Sequence, residues 1–245
     1  MPPEIKIQGA GPVGCVLALL LHSTGRKICL VEKKSLPGKT QLRPIALSHA
    51  SRLILERIGA WGALEATPIS TIHISQQGAF GRTCLSASDA GVPALGYVVD
   101  YESLVAGLLS RLDVAGIRIA SDADDALLVV HAEGTSSASK EKDYAQHALV
   151  ALVTTSPPAA HTAWERFTSE GPLALLPLGG RYCAVWGMHP ERARALCSAP
   201  EAAFLLAIGP YWWTLYLYLI LMTIGEAMWS PRFLQYAAEI APEGR

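Results

Sequence analysis

Charge is scarce and balanced in this sequence of 245 residues. Lys and Arg number 20 against 21 Asp and Glu, and charged residues make up 17% of the chain. A nucleic-acid-binding protein needs a basic surface to neutralise phosphates, so a formal net charge of −1 argues against nucleic acid as a partner. The balance does not favour an acidic partner either.

Cysteine is scarce as well, and its spacing excludes two kinds of site. The five cysteines are odd in number, form no C-x-x-C pair and show no metal-ligand spacing. We therefore expect neither a disulfide framework nor a metal site. Free, mostly buried thiols indicate a reducing compartment, here the cytoplasm. The opening letters MPPEIK hold too little positive charge for a signal peptide.

Apolar residues are abundant, at 51% of the chain with a mean hydropathy of +0.28. The segment Ala203–Gly225 contains 23 residues without a charge. It is long enough to cross a hydrocarbon core of about 30 Å, so we expect a C-terminal hydrophobic helix and association with membrane lipid. A buried core helix is the alternative.

The N-terminus carries a glycine pattern between two apolar segments. The letters IKIQ predict a strand over Ile5–Gln8, and CVLALLLH predicts a helix. Ile28–Val31 predicts a second strand, which ends at Glu32. Strand, glycine turn, helix, strand and acidic residue within about 30 residues form the fingerprint of an adenine dinucleotide site. The glycines of the turn are Gly9, Gly11 and Gly14.

Each position of the fingerprint has a physical role. Gly9 permits the tight turn, Gly11 lets a diphosphate approach the backbone, and Gly14 lets the helix pack close to the strand. The helix N-terminus offers unpaired N–H groups to phosphates, and Glu32 can accept the ribose hydroxyls. FAD and NAD fit equally well, and a unit whose glycines serve only packing is the alternative. The residues assigned to the cofactor here are Gly9, Gly11, Pro12, Val13, Gly14, Glu32 and Lys33.

A resemblance to a known family decides between the two cofactors. The stretch QLRPIALSHASRLILERIGAWGAL, from Gln41, resembles the FAD-dependent aromatic-ring hydroxylases of ubiquinone biosynthesis, which are class A flavoprotein monooxygenases. In that family an arginine and a following segment lie along the flavin, which implies this role for Arg43 and Ile45–Leu47. Without the resemblance, Arg43 could be an ordinary surface arginine.

Two later stretches extend the resemblance to about residues 3–205. GYVVDYESLVAGLL is similar to the family's next strand and helix, and LLVVHAEGTSSASK to its second flavin motif. The resemblance places Glu133 and Gly134 in that motif, with Ser137 or Ser139 as its serine. An isolated Glu-Gly pair would be a common turn.

The resemblance also implies a fold and a reaction. We expect an α/β protein with a Rossmann-like FAD-binding domain, a partial antiparallel β substrate domain and the C-terminal hydrophobic helix. The expected domains are residues 1–142, 143–200 and 201–245. The family uses FAD, with NAD(P)H as a transient reductant and O2, to hydroxylate a phenolic or prenylated quinone precursor. The apolar face of Gly171–Gly179 would form one wall of the substrate pocket, and the resemblance also implies a complex with other ubiquinone-pathway proteins as an expectation.

The sequence departs from the family at two places. The strands expected between the helix at Leu104–Leu112 and the Glu-Gly motif shrink to GIRIA and ALLVV, one strand each. No equivalent of the third flavin motif, a Gly-Asp before a helix, is recognisable after Leu205. The tail GEAMWSPRFLQYAAEIAPEGR resembles a segment of major facilitator-type transporters. Two alternatives therefore stay open: a non-catalytic dinucleotide-binding remnant, and a membrane-anchored fusion fragment.

Overall fold

The computed structural model describes residues 3–32, 43–122, 126–134, 142–156, 158 and 160–198. Several sequence predictions fall outside these ranges: Lys33, Ser137, Ser139, the apolar segment Ala203–Gly225 and the transporter-like tail. The chain divides into two units, Met1–Pro190 and Glu191–Arg245. All of the strands described below belong to the first unit.

Strands and helices are interspersed along the described part of the chain. In order they are β1 (Ile5–Gln8), α1 (Pro12–His22), β2 (Ile28–Val31), β3 (Pro44–Ser48), α2 (His49–Arg57), β4 (Thr67–Ile69), β5 (Thr71–Gln76), β6 (Arg82–Ser86), β7 (Gly96–Asp100), α3 (Tyr101–Val114), β8 (Ile119–Ala120), β9 (Leu128–His131), β10 (His147–Val153), β11 (Thr162–Phe167), β12 (Pro172–Leu178), β13 (Arg181–Met188) and α4 (Pro190–Cys197).

The first sheet is parallel, with the strand order β8-β2-β1-β9. β1, α1 and β2 match the predicted strand, helix and strand, and the strand bounds agree residue for residue. GIRIA and ALLVV each contribute one short strand, as predicted. A parallel sheet with a glycine turn after its first strand is a Rossmann-like arrangement, which confirms the α/β expectation.

The core of this region lies between the first sheet and its helices. Ile7 on β1 and Leu30 on β2 are fully buried, and they pack with Leu108 and Leu112 of α3. α1 buries Cys15 and Ala18 on its sheet-facing side. Small residues on this face let α1 approach the strands closely, which positions the N-terminus of α1 at the sheet edge.

The second sheet has six strands in the order β10-β13-β12-β11-β5-β6. β11, β12 and β13 form an antiparallel meander, which the short turns SEG and GGR between these strands predict from the sequence. The sheet is mixed rather than antiparallel, because β5 from much earlier in the chain pairs with β11 in parallel. The sequence predicts a strand over Tyr144–Val153, but β10 begins only at His147, since the backbone of Ala145 has φ +49°, which interrupts an extended strand.

A third, three-stranded sheet in the order β3-β7-β4 lies beside the second. β3 carries the Ile45–Leu47 segment and pairs antiparallel with β7. Val98 of β7 and Ile69 of β4 are buried together with Ala163 of β11. One face of the six-stranded sheet therefore packs against the sheet that holds the Ile45–Leu47 segment.

Candidate functional site

Gly9 forms the tight turn that ends β1. Its N–H donates to the carbonyl of Val31 at 2.8 Å, and its φ of +104° favours glycine. A Cβ at this position would lie 2.6 Å from the carbonyl carbon and oxygen of Ala132 and 2.8 Å from the nitrogen of Glu133. The turn therefore tolerates no side chain at Gly9.

Gly14 brings α1 against the same turn. A Cβ on Gly14 would lie 1.9 Å from the carbonyl oxygen of Gly9, a backbone atom that cannot move aside. The roles predicted for Gly9 and Gly14, a tight turn and close helix packing, agree with these distances.

Gly11, unlike Gly9 and Gly14, is not closely packed against the rest of the described protein. A Cβ built on Gly11 would find no atom within 4 Å, and its backbone at φ −70° and ψ 177° suits any residue. Packing within the described structure therefore does not explain a glycine here. An approaching ligand would explain it, because a side chain would occupy the space that a ligand needs.

The N-terminus of α1 opens onto this space. Gly11 is the N-cap, no side chain caps the helix, and Pro12 occupies its first turn. Val13 in the same turn is 71% exposed. An uncapped helix N-terminus presents N–H groups and a partial positive charge, which suit a diphosphate.

Glu32 places a carboxylate beside the glycine turn. Its Oε2 accepts a hydrogen bond of 2.9 Å from the backbone N–H of Ala10, and its own N–H donates to the carbonyl of Ala120. These two contacts fix the residue at the carboxyl end of β2. A half-buried carboxylate held there can accept hydroxyl donors from a sugar.

Cys15 lies beneath the turn and remains a thiol. Its Sγ is 3.1 Å from the carbonyl oxygen of Ala10. Burial raises the pKa of Cys15 to about 11, and the nearby charge of Glu32 adds to this increase. A neutral thiol beneath the turn does not compete with a bound phosphate for the N–H groups of α1.

Glu133 and Gly134 follow β9 at the same edge of the sheet. Ala132, just before them, donates its N–H to the carbonyl of Gln8 at 2.7 Å, which brings the end of β9 against the glycine turn. Glu133 Oε2 lies 3.1 Å from His131 Nδ1. Gly134 has φ +78°, which agrees with a turn that favours glycine. Sequence reasoning missed His131 and the packing role of Ala132, because neither belongs to a motif.

Arg43 contacts the first residue of α3. It is exposed, and its guanidinium carbon lies 4.6 Å from the centre of the Tyr101 ring. Its carbonyl accepts a hydrogen bond from the N–H of Tyr101. The contacts found for Arg43 within the described residues join it to α3 and not to the glycine turn, so its flavin role stays a prediction. Ile45–Leu47 lies on β3, in the third sheet.

Within the part of the chain that the structure describes, no group of His, Cys, Asp or Glu side chains is arranged to hold a metal ion. Within the same ranges, no helix combines the length and the apolar character that crossing a bilayer requires.

Comparison with known proteins supports the flavoprotein resemblance. No family model matches the chain. The 3-demethoxyubiquinol 3-hydroxylase of Escherichia coli is 27% identical over 234 residues, which cover 80% of this chain and 60% of that enzyme. The mitochondrial ubiquinone biosynthesis monooxygenase COQ6 of Danio rerio is 24% identical over 273 residues, covering 86% and 54%.

A solved structure shows the same fold. A probable FAD-dependent monooxygenase of Pseudomonas aeruginosa, PqsL, superposes with a TM-score of 0.65 at 18% identity, covering 84% of this chain and 66% of that one. The relatives of this chain are thus ubiquinone hydroxylases, and its fold is that of FAD-dependent monooxygenases. The chain spans little more than half the length of the curated relatives it matches. These three proteins give no support for the transporter-like tail.

Proposed function

We propose that this chain is an FAD-dependent monooxygenase that hydroxylates the aromatic ring of a ubiquinone precursor, using NAD(P)H and O2. The similarity to ubiquinone hydroxylases supports the reaction class. The observation on which the proposal rests is the open space at Gly11, directly before the uncapped N-terminus of α1.

The residues around the turn fit an adenine dinucleotide. Gly11 and the first N–H groups of α1 would receive the diphosphate, and Glu32 would accept the ribose hydroxyls. Glu133 and Gly134 lie at the same sheet edge, where they would border the cofactor. FAD, when bound, would supply the oxygen-transfer chemistry, and the protein would supply binding, orientation and a dry pocket.

The substrate would lie against the six-stranded sheet. On β12, Ala174, Leu176 and Leu178 alternate with the more deeply buried Leu173 and Leu175. Leu176 and Leu178 pack beside the third sheet, which carries the Ile45–Leu47 segment. This partly open apolar face would suit an aromatic ring with a prenyl tail.

Further parts of the proposal concern the location of the protein. A prenylated substrate resides in the membrane, so we propose that the protein is cytoplasmic and associates with membrane lipid. A single C-terminal transmembrane helix at Ala203–Gly225, the transporter-like character of the tail and a complex with other ubiquinone-pathway proteins belong to this proposal. They rest on the sequence alone.

Purification of the full chain tests the proposed function. We expect a yellow protein with the absorption bands of an oxidised flavin, which oxidises NAD(P)H when a phenolic quinone precursor is added. With 18O2, mass spectrometry should find one labelled oxygen atom in the ring of the product.

The same experiment separates the alternatives. A yellow protein that leaves the ring unlabelled would support the non-catalytic dinucleotide-binding remnant. A colourless protein that binds no added FAD would contradict the proposal and support the membrane-anchored fragment. Dependence on detergent that disappears on deletion of Ala203–Arg245 would support the anchor.

A further inference from the structure

Glu165 is a carboxylate in an otherwise uncharged row of the six-stranded sheet. It pairs with Ile74 of β5 on one side and with Ala174 of β12 on the other. The row continues to Val185 and Val150 beyond Ala174. At the other end it reaches Thr83. Residues paired in this way point to the same face of a sheet, so Glu165 shares its face with apolar neighbours.

This face is the one that packs against the third sheet. Ala163, two residues before Glu165 on β11, points to the same side and is buried with Val98 of β7. β7 in turn pairs with β3, which carries the Ile45–Leu47 segment. Glu165 therefore lies on the side of the sheet where the proposed substrate pocket would be.

The carboxylate of Glu165 is half-buried and has no protein partner within the described part of the chain. No hydrogen bond or ion pair to it is found there, and the neighbouring Arg166 points to the opposite face, where it donates to Ser75 Oγ. Burial raises the pKa of Glu165 above its ordinary value. A half-buried carboxylate without a protein donor keeps its acceptor oxygens available, so a ligand that brings a hydroxyl group would find an unused acceptor on an apolar face.

We propose that Glu165 anchors the substrate by accepting a hydrogen bond from a hydroxyl group on the phenolic ring, while the ring's alkyl chain lies along Ala174 and Val185. This inference rests on the proposed function and deepens it. The carboxylate would fix the orientation of the ring, because a hydrogen bond at one end of an apolar surface determines which ring edge faces the reacting centre. No covalent step involves Glu165.

Two ligands that differ by one donor test the proposal. The FAD-loaded full chain is titrated calorimetrically with 4-pentylphenol and with its methyl ether, 4-pentylanisole, which cannot donate a hydrogen bond. We expect the phenol to bind about tenfold more tightly, which is the usual scale of a hydrogen bond to a charged group.

Variants connect this preference to Glu165. Glu165→Leu should bind the two ligands equally, whereas Glu165→Gln, which keeps an acceptor oxygen, should retain part of the preference. Glu170→Gln changes an exposed glutamate in the turn after β11, and it should behave like the wild type. The comparison of the two ligands on the wild type does not depend on whether a variant folds.

The outcomes separate this inference from the proposed function. An FAD-loaded chain that binds both ligands equally, or neither, would overturn the role of Glu165 and leave the proposed function standing. An unchanged preference in Glu165→Leu would overturn it as well. A chain that takes up no FAD would contradict the proposed function itself, and the role of Glu165 with it.

Discussion

The carbonyl oxygen of Gly9 lies 1.9 Å from the position that a Cβ on Gly14 would take. Two glycines of the motif are therefore required by the protein's own packing. Gly11, between them in the sequence, faces open space. If the glycines served only packing, position 11 would not need a glycine. The open space at Gly11 therefore favours a dinucleotide site over a unit whose glycines serve only packing.

Gly14→Ala should destabilise the fold. The added methyl group would collide with backbone, so α1 must shift away from β1, at a cost on the order of 1–3 kcal/mol in the free energy of unfolding. Urea unfolding followed by circular dichroism measures this. Gly62→Ala is the matched control, because Gly62 has no left-handed backbone and no atom within 4 Å of its Cβ position. Equal stability of the two variants would contradict the close packing of α1.

Glu32→Ala should weaken FAD binding. It removes the carboxylate that is held beside Ala10 and that would accept the ribose hydroxyls. The usual free energy of a hydrogen bond to a charged group corresponds to an increase in the Kd for FAD of about 10- to 100-fold when that bond is lost. Flavin fluorescence measures the Kd, and Glu65→Ala, which changes an exposed glutamate, provides the control. A Kd within twofold of the wild type would show that Glu32 does not contact the ribose.

The buried cysteines should make stability fall at alkaline pH. Burial raises the pKa of Cys15 and Cys183 from 9.0 to about 11. Between these values the unfolded chain loses protons that the folded chain keeps, so this contribution is complete below pH 9 and disappears as pH rises towards 11. Urea midpoints at pH 8 and pH 10.5 measure the loss.

A double variant, Cys15→Ala with Cys183→Ala, provides the control for this prediction. It should lose less stability between the two pH values than the wild type does. An identical loss would assign the alkaline effect to other groups. In the folded wild type at pH 8, iodoacetamide should label the exposed Cys84 and Cys197 and leave the two buried thiols unmodified.

Local patterns made the first βαβ unit predictable. The bounds of β1 and β2 follow from short apolar segments, and the glycine spacing defines the turn between β1 and α1. The position of Glu32 beside the turn was predictable for the same reason, since it directly follows β2, and its contact with the ribose stays a prediction. The meander β11-β12-β13 was predictable too, because tight turns connect its strands.

Long-range pairings were not predictable from such patterns. β5 pairs in parallel with β11, whose paired residues lie 91 positions later in the sequence, and no local signal specifies that partner. The contact of Gly9 with Ala132 depends on β9 lying beside β1, so the position of Glu133 followed only from the resemblance. Arg43 was assigned in the same way, and its stacking on Tyr101 was not foreseen.

Flavin retention in Gly11→Val tests the central claim most directly. The backbone of Gly11 at φ −70° accepts valine, and a Cβ there would meet no protein atom within 4 Å, so we expect the variant to fold. Gly62→Val introduces the same side chain at another open position and provides the control. We predict a thermal midpoint close to that of the wild type, with FAD content lost in Gly11→Val and retained in Gly62→Val. Full FAD content in a folded Gly11→Val variant would contradict the assignment of this turn to the diphosphate.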